Sequence, residues 1–159
     1  MISGPGIPIE SPGVNVAVVK KDLEGWKFLL LKRAYHESYA GSWGLLTGTK
    51  HGDETVTQLA LREIKEETGL TPKALWATEH IIQFYEPEED AIWILPLVVA
   101  VVSQRSEVVL SPENEEFVWL EASTARKQVF WKNLVRAIDQ ICEELQSYPA
   151  PTWLPLQLQ

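Results

Sequence analysis

The chain has 159 residues, 45% of them hydrophobic and 23% charged, and its 22 acidic side chains against 14 basic ones give a formal net charge of -8. That length accommodates one domain rather than two, and the acidic balance excludes the basic footprint on which nonspecific nucleic-acid binding depends. The longest apolar run, Ala91–Val102, is interrupted by Pro96 and is shorter than the roughly 18 apolar residues of a membrane span.

Residues 1–13, with Pro5, Pro8 and Pro12, predict an irregular leader without the basic and apolar regions of a secretory signal. Cys142 is the sole cysteine and has no internal partner, which fits a reducing, cytoplasmic setting. Val14–Lys20 and Trp26–Arg33 read as two strands joined by the turn-like KDLEG. A polar loop, His36–Ser42, leads to a further short strand over Trp43–Thr47. From Val56 the pattern changes, because Val56, Leu59, Ala60 and Ile64 form one apolar stripe at helical spacing. Gly69 supplies the left-handed residue that ends such a helix, with Leu70 packing back behind it.

Strand character returns at Ala74–Phe84 and Ile92–Val102, with further short strands expected at Glu107–Leu110 and Phe117–Leu120. Trp131, Leu134, Val135, Ile138, Ile141, Cys142 and Leu145 then predict a long amphipathic helix covering a sheet. Residues 148–159 form a Pro-rich extended tail in which Trp153 and Leu154 are candidates for docking. The sequence therefore predicts one domain over residues 1–159, an α/β (α+β) fold with a mixed sheet sandwiched by helices. No basic, aromatic-interleaved surface for nucleic acid and no membrane segment is expected.

The stretch GTKHGDETVTQLALREIKEETGL, Gly48–Leu70, carries the chemistry. Its helix would bring Glu63, Glu66 and Glu67 together, although like charges at such spacings cost about 0.2–0.5 kcal/mol per pair. Three glutamates alone are commonly a solvated face, but three oxygen ligands converging on one point also suit a hard cation such as Mg²⁺. The spacing decides between these readings. Gly48 is followed by five residues and Glu54, then by seven residues and Arg62-Glu63-Ile64-Lys65-Glu66-Glu67-Thr68-Gly69-Leu70. At every defined position this resembles the signature of the Nudix hydrolases.

The resemblance implies a Nudix-type α/β/α sandwich and hydrolysis of a phosphoanhydride in a nucleoside diphosphate-linked substrate, with Mg²⁺ or Mn²⁺ as cofactor. Carried over, it implies Glu63, Glu66 and Glu67 as metal ligands, with Gly48 turning the backbone so that its carbonyl faces the ion. Arg62 becomes the partner that orients a glutamate, and Glu54 a supporting acid near the helix start. Glu63 is the expected general base, assisted by Arg62, with Glu66 or a glutamate outside the motif as the alternatives. An acid six residues before a tryptophan in relatives implies Glu113, six before Trp119, as a further ligand.

Around the signature, Trp43 with Thr47-Gly48-Thr49, the DAIW ending in Trp93 and the FWKN at Phe130–Asn133 resemble the branch of dihydroneopterin triphosphate pyrophosphatases, also described as dATP pyrophosphohydrolases. The expected substrate is then a nucleoside triphosphate-like small molecule cleaved to a monophosphate and pyrophosphate. Trp43, Trp93 and Trp131 are candidates for stacking on its ring, Asn133 for a polar edge, and Arg33 and Lys50 for its phosphates. The alternatives are oxidised dNTPs, dinucleoside polyphosphates, nucleotide sugars, or a noncatalytic nucleotide-sensing module. Dinucleoside polyphosphate hydrolysis usually accompanies a Pro-Lys-Gly lead-in, where this chain has Leu-Leu-Thr-Gly. The oligomeric state is left open, homodimers being common among relatives.

Overall fold

The computed structural model describes residues 4–149 and 151–158; the rest of the expected leader and tail, residues 1–3, 150 and 159, lies outside the described residues. The elements, in chain order, are β1 (Ile9–Glu10), β2 (Gly13–Asp22), β3 (Gly25–Arg33), β4 (Trp43–Gly44), β5 (Leu46–Thr49), α1 (Val56–Thr68), β6 (Ala74–Glu86), β7 (Ala91–Val101), β8 (Asn114–Leu120), α2 (Ala122–Gln128), α3 (Asn133–Leu145) and β9 (Leu154–Leu156).

One mixed sheet runs β4-β3-β2-β7-β6-β9, with β1 added to β7, β5 to β2 and β8 to β3. Strand β2 lies parallel to β7, Asn15 opposite Leu97 and Val19 opposite Val101. Its near-continuous apolar sequence follows from burial on both faces. Val14, Val16 and Val18 pack with Leu59, Ala60 and Ile64 of α1 on one side. Ala17 and Val19 pack with Leu134, Ile138, Ile141 and Leu145 of α3 on the other. The arrangement is an α/β/α sandwich.

The sheet splits where the site will lie. The second half of β2 pairs with β3, Val19 opposite Phe28, whereas its first half pairs with β5, Val14 opposite Gly48. Beyond Phe28, β3 diverges and takes β8 and β4 as its neighbours. The expected strand Trp43–Thr47 is accordingly two short strands on different partners.

Three further expectations are corrected. Glu107–Leu110 forms no strand: Val109 and Ser111 donate their backbone N–H groups to the carbonyls of Thr68 and Glu67, at 2.9 and 3.2 Å. Those carbonyls belong to the last turn of α1 and have no intrahelical partner. The leader is not wholly irregular, since β1 pairs parallel with β7. The tail adds β9 to β6, Leu75 opposite Leu156, and Trp153 is buried, 7% exposed, in the core under α3. Trp153→Ala is therefore expected to destabilise the protein by about 3 kcal/mol, measured as a lower urea midpoint at unchanged m-value.

Candidate active site

Helix α1 is fixed at both ends by its own sequence. Thr55 caps the N-terminus in a reciprocal box with Gln58, and Gly69, at φ 70°, ends the helix. With Leu59, Ala60 and Ile64 against the sheet, the adjoining stripe carries Arg62, Glu63, Glu66 and Glu67 into a cleft of about 480 Å³.

Arg62 organises this end. Its Nε donates to Glu54 Oε1 at 2.5 Å and its Nη2 to Glu54 Oε2 at 3.0 Å, a fork-to-carboxylate pair. Nη1 donates to Glu63 Oε1 at 2.8 Å and to Glu66 Oε2 at 3.1 Å, while Nη2 also reaches the Thr49 carbonyl at 3.0 Å. Hydrogen bonds from Arg62, with a second from the backbone N–H of His51, hold the Glu54 carboxyl at about 2. Glu54 therefore anchors the arginine; it precedes the cap residue and lies outside the first turn of α1, so the helix dipole is a secondary matter for it.

The acids differ sharply in environment. Glu66 is exposed, whereas Glu63 and Glu67 are 8% and 6% exposed. Burial pushes the Glu63 carboxyl up against the opposing pull of Arg62. Glu67 is raised to about 9, first by burial and then by a hydrogen bond with Glu113 and the charges of Glu113 and Glu63. Glu113 is held in place by its own carbonyl, which accepts from Ala34 N–H at 2.9 Å.

Gly48 lies in a strand and has no left-handed φ, so the expected turn there is corrected. Glycine is needed because a Cβ would stand 2.2 Å from Glu63 Cγ. Across the ladder, a Cβ on Gly13 would stand 1.9 Å from the Gly48 carbonyl oxygen.

A divalent cation suits this donor set. Glu63, Glu67 and Glu113 offer only oxygen, and a buried carboxyl facing two other acids must either keep a proton or gain a positive neighbour. Among the described residues no group of three acidic, histidine or cysteine side chains is already closed into a cage. Arg62 draws Glu63 and Glu66 toward itself, so ligation would need these flexible side chains to turn.

The other end of the cleft is aromatic. Phe84 stacks with Trp131 at a centroid distance of 6.0 Å and lies 5.9 Å from Trp93, while Tyr39 meets Trp131 edge-on at 4.8 Å. Of the residues expected to touch substrate, Arg33, Trp93, Trp131 and Asn133 line the cleft. Arg33 is tied to the Ser38 carbonyl at 2.6 Å and to Glu37 at 3.4 Å, and Asn133 donates to the Gln83 carbonyl at 3.4 Å. Trp43 and Lys50 do not line it. Trp43 is half-buried and packs against the core on the α3 side, and Lys50 is an exposed residue just past β5 whose N–H donates to the Pro12 carbonyl.

Sequence reasoning missed Gly13, Asn15, Tyr39, Phe84 and Glu86, all on the cleft wall. Asn15, 3% exposed in an otherwise apolar strand, gave a usable signal: the lone polar residue in VNVAVV.

Comparison with known proteins agrees with this geometry. A family model described as the NUDIX domain matches residues 11–140. A protein of Mycobacterium tuberculosis, provisionally named 8-oxo-dGTP diphosphatase 3, is 31% identical over 93 residues, 58% of this chain. The match takes in 43% of that relative, so the chain spans less than half of its length. Among solved structures, a Caenorhabditis elegans Ap4A hydrolase binary complex superposes with a TM-score of 0.74 at 21% identity, covering 86% of this chain and 98% of the other. The Escherichia coli dihydroneopterin triphosphate pyrophosphohydrolase does so with a TM-score of 0.68 at 19% identity, covering 87% and 99%. At such identities the two structures establish the fold. With the domain match spanning most of the sequence and the signature intact on α1, the chain belongs to the Nudix family.

Proposed function

We propose that this protein is a Mg²⁺- or Mn²⁺-dependent pyrophosphohydrolase acting on a nucleoside triphosphate-like substrate, released as a monophosphate and pyrophosphate. The observation that carries this is the buried Glu67 carboxyl packed against Glu113 and beside Glu63 in a cleft. A chain gains nothing in stability from such a grouping unless a cation or a proton compensates it.

Glu66, Glu67 and Glu113 would hold the ion, with the Gly48 carbonyl nearby and Glu63 kept on Arg62. A divalent ion held there would supply positive charge against the charge developing at phosphorus and would make a nearby water easier to deprotonate. Glu63 is the general base in this reading. Its Oε1 accepts from Arg62, which orients the carboxylate and leaves Oε2 to take the proton from the attacking water. Burial raises its basicity toward that of an effective base at neutral pH. Arg33 sits where it can meet the outer phosphates, and the aromatic end takes the ring. Dihydroneopterin triphosphate and dNTPs such as dATP or an oxidised dNTP are the substrates to test first. Dinucleoside polyphosphates and nucleotide sugars follow.

The experiment is pyrophosphate release from this panel with Mg²⁺, with EDTA and with Glu66→Gln. Turnover that needs the metal and is lost in the variant supports the proposal, and no turnover on any substrate overturns it. Tight nucleotide binding without product would favour a noncatalytic sensor instead. The intact signature acids argue against that second reading. Arg62→Lys keeps the charge but loses the fork that grips Glu54. It is expected to lower kcat by about 10- to 100-fold with little change in KM, measured in the same assay.

The single-domain organisation over residues 1–159 and a cytoplasmic location belong to the same proposal. Among the described residues no helix is long and apolar enough to cross a membrane.

A further inference from the structure

The cleft's aromatic end contains a charge that ring stacking does not explain. Glu86, the last residue of β6, is 6% exposed and lies on the cleft wall. It shares a face of the sheet with Phe84, two residues earlier, and sits diagonally across the β6–β7 ladder from Trp93, which is opposite Phe84. Its Oε1 accepts from the Glu88 N–H at 3.0 Å and from the Tyr39 hydroxyl at 3.4 Å. Neither bond uses Oε2. Beside it, the Trp93 Nε1 donor is buried with no partner among the described residues. Glu88 and Glu89 line the same end, where three carboxylates outnumber Arg33, itself tied to the Ser38 carbonyl and to Glu37 on the loop that reaches Glu86 and Glu88, while Arg62 is held by Glu54 on α1. A polyphosphate would be repelled here, whereas a group rich in N–H donors would be held.

The spacing agrees. Asn15, next to the Gly48 ladder, is opposite Leu97 on β7, and Trp93 lies four residues away along that strand. At about 3.3 Å per residue this is about 13 Å, room for an extended nucleotide with its phosphates at α1 and its ring at Glu86.

We propose that Glu86 is the specificity-determining acceptor of this site. It selects rings bearing an amino group beside a lactam N–H and carbonyl, the edge shared by guanine-type and pterin-type heterocycles, over adenine-type and pyrimidine rings. Oε2 accepts from the amino and lactam N–H groups, and the Trp93 indole, by a small tilt, donates to the ring carbonyl. Adenine, with an amino group but neither lactam N–H nor carbonyl, leaves both protein groups unsatisfied. This rests on the pyrophosphohydrolase reading and narrows its substrate class.

The test compares kcat/KM for dGTP, dITP, dATP and dihydroneopterin triphosphate in the wild type and Glu86→Gln. dITP keeps the lactam and lacks the amino group. The wild type is expected to favour dGTP or dihydroneopterin triphosphate over dITP by about tenfold, and over dATP by more. Glu86→Gln retains an acceptor for the Glu88 N–H and is expected to collapse the dGTP:dITP ratio to about twofold or less. Trp93→Phe keeps a ring and should weaken both lactams against dATP. Which of the two favoured substrates is turned over faster identifies the source of the ring.

A wild-type dGTP:dITP ratio near one, or a ratio unchanged in Glu86→Gln, overturns the inference while pyrophosphate release leaves the hydrolase reading standing. If no triphosphate is turned over, the hydrolase reading fails by itself. Calorimetric binding of dGMP against dIMP to the same two proteins then decides: a preference that disappears in the variant upholds the assignment of Glu86, and equal binding refutes it.

Discussion

Replacing Glu67 with glutamine is expected to abolish pyrophosphate release and, at the same time, to raise the melting temperature of the metal-free protein. The Glu67 carboxyl is 6% exposed and pushed up to about 9, from an ordinary 4.5, by burial and by Glu113 and Glu63. A folded pKa above the unfolded one means that the folded state binds the extra proton between those two values. Stability is therefore greatest below about pH 4.5 and falls as the pH rises toward 9. At pH 7 the cost of keeping that proton is on the order of 3–4 kcal/mol, at about 1.4 kcal/mol for each pH unit above 4.5. Glutamine has nothing to titrate, and its amide can donate to Glu113 as the protonated carboxyl does. Removing the cost should raise the melting temperature by about 7–14 °C at pH 7 and flatten its dependence between pH 5 and 9. Magnesium should reverse the order, stabilising the wild type by about 2.7 kcal/mol at a hundredfold excess over its Kd and leaving the variant nearly unmoved. Its affinity should also strengthen with pH, because binding displaces the Glu67 proton. Thermal scans from pH 5 to 9, with EDTA and with Mg²⁺, check every part. A wild-type profile as flat as the variant's would refute the prediction.

The signature glutamates were legible because helical spacing and a fixed motif both point at them. Their unequal burial was not: Glu63 and Glu67 lie four residues apart on the face that docks, Glu66 is turned away from it, and the 109–114 segment closes over the end of α1 at Glu67 and Thr68. That segment also explains a wrong strand. EVVL has the β-branched, apolar character of a strand, and Val108 and Leu110 do pack on the core beside α1, but the intervening backbone N–H of Val109 goes to a helix carbonyl. Helix α2 was missed because Ala122–Gln128 buries only Ala125, too little for any apolar rhythm. The sheet's outer additions, β1 and β9, are two and three residues long and are defined by their partners rather than by their own composition. The substrate end failed for a related reason. Tryptophan in a strand or helix reads equally as core or as binding surface; Trp43, half-buried against the core, stays off the cleft, while Trp93 and Trp131 line it. Glu86 carried no motif, and its place on the cleft wall beside Phe84 follows from strand pairing that the sequence does not display.

The two glycines across the β2–β5 ladder should fail in opposite ways. A methyl group at Gly48 would stand 2.2 Å from Glu63 Cγ, 2.6 Å from Cδ and 3.0 Å from Oε1. All three are side-chain atoms, so Gly48→Ala can be relieved by rotating Glu63 away. The cost in stability should be about 1 kcal/mol, but the rotation breaks the 2.8 Å bond from Arg62 and displaces the proposed base. Activity should fall by about 100-fold or more. At Gly13 the obstacle is backbone, with the Gly48 carbonyl oxygen at 1.9 Å, its carbon at 2.9 Å and Thr49 Cα at 3.2 Å. Gly13→Ala must push the two strands apart, costing about 3 kcal/mol, and activity is lost with the fold. A double-mutant cycle isolates the first effect. In a Glu63→Ala background the atoms that crowd Gly48 are gone, so Gly48→Ala should there be nearly neutral in stability. A coupling of about 1 kcal/mol between the two positions is expected, read from urea midpoints. Zero coupling would mean that glycine at 48 serves the backbone rather than the glutamate across from it.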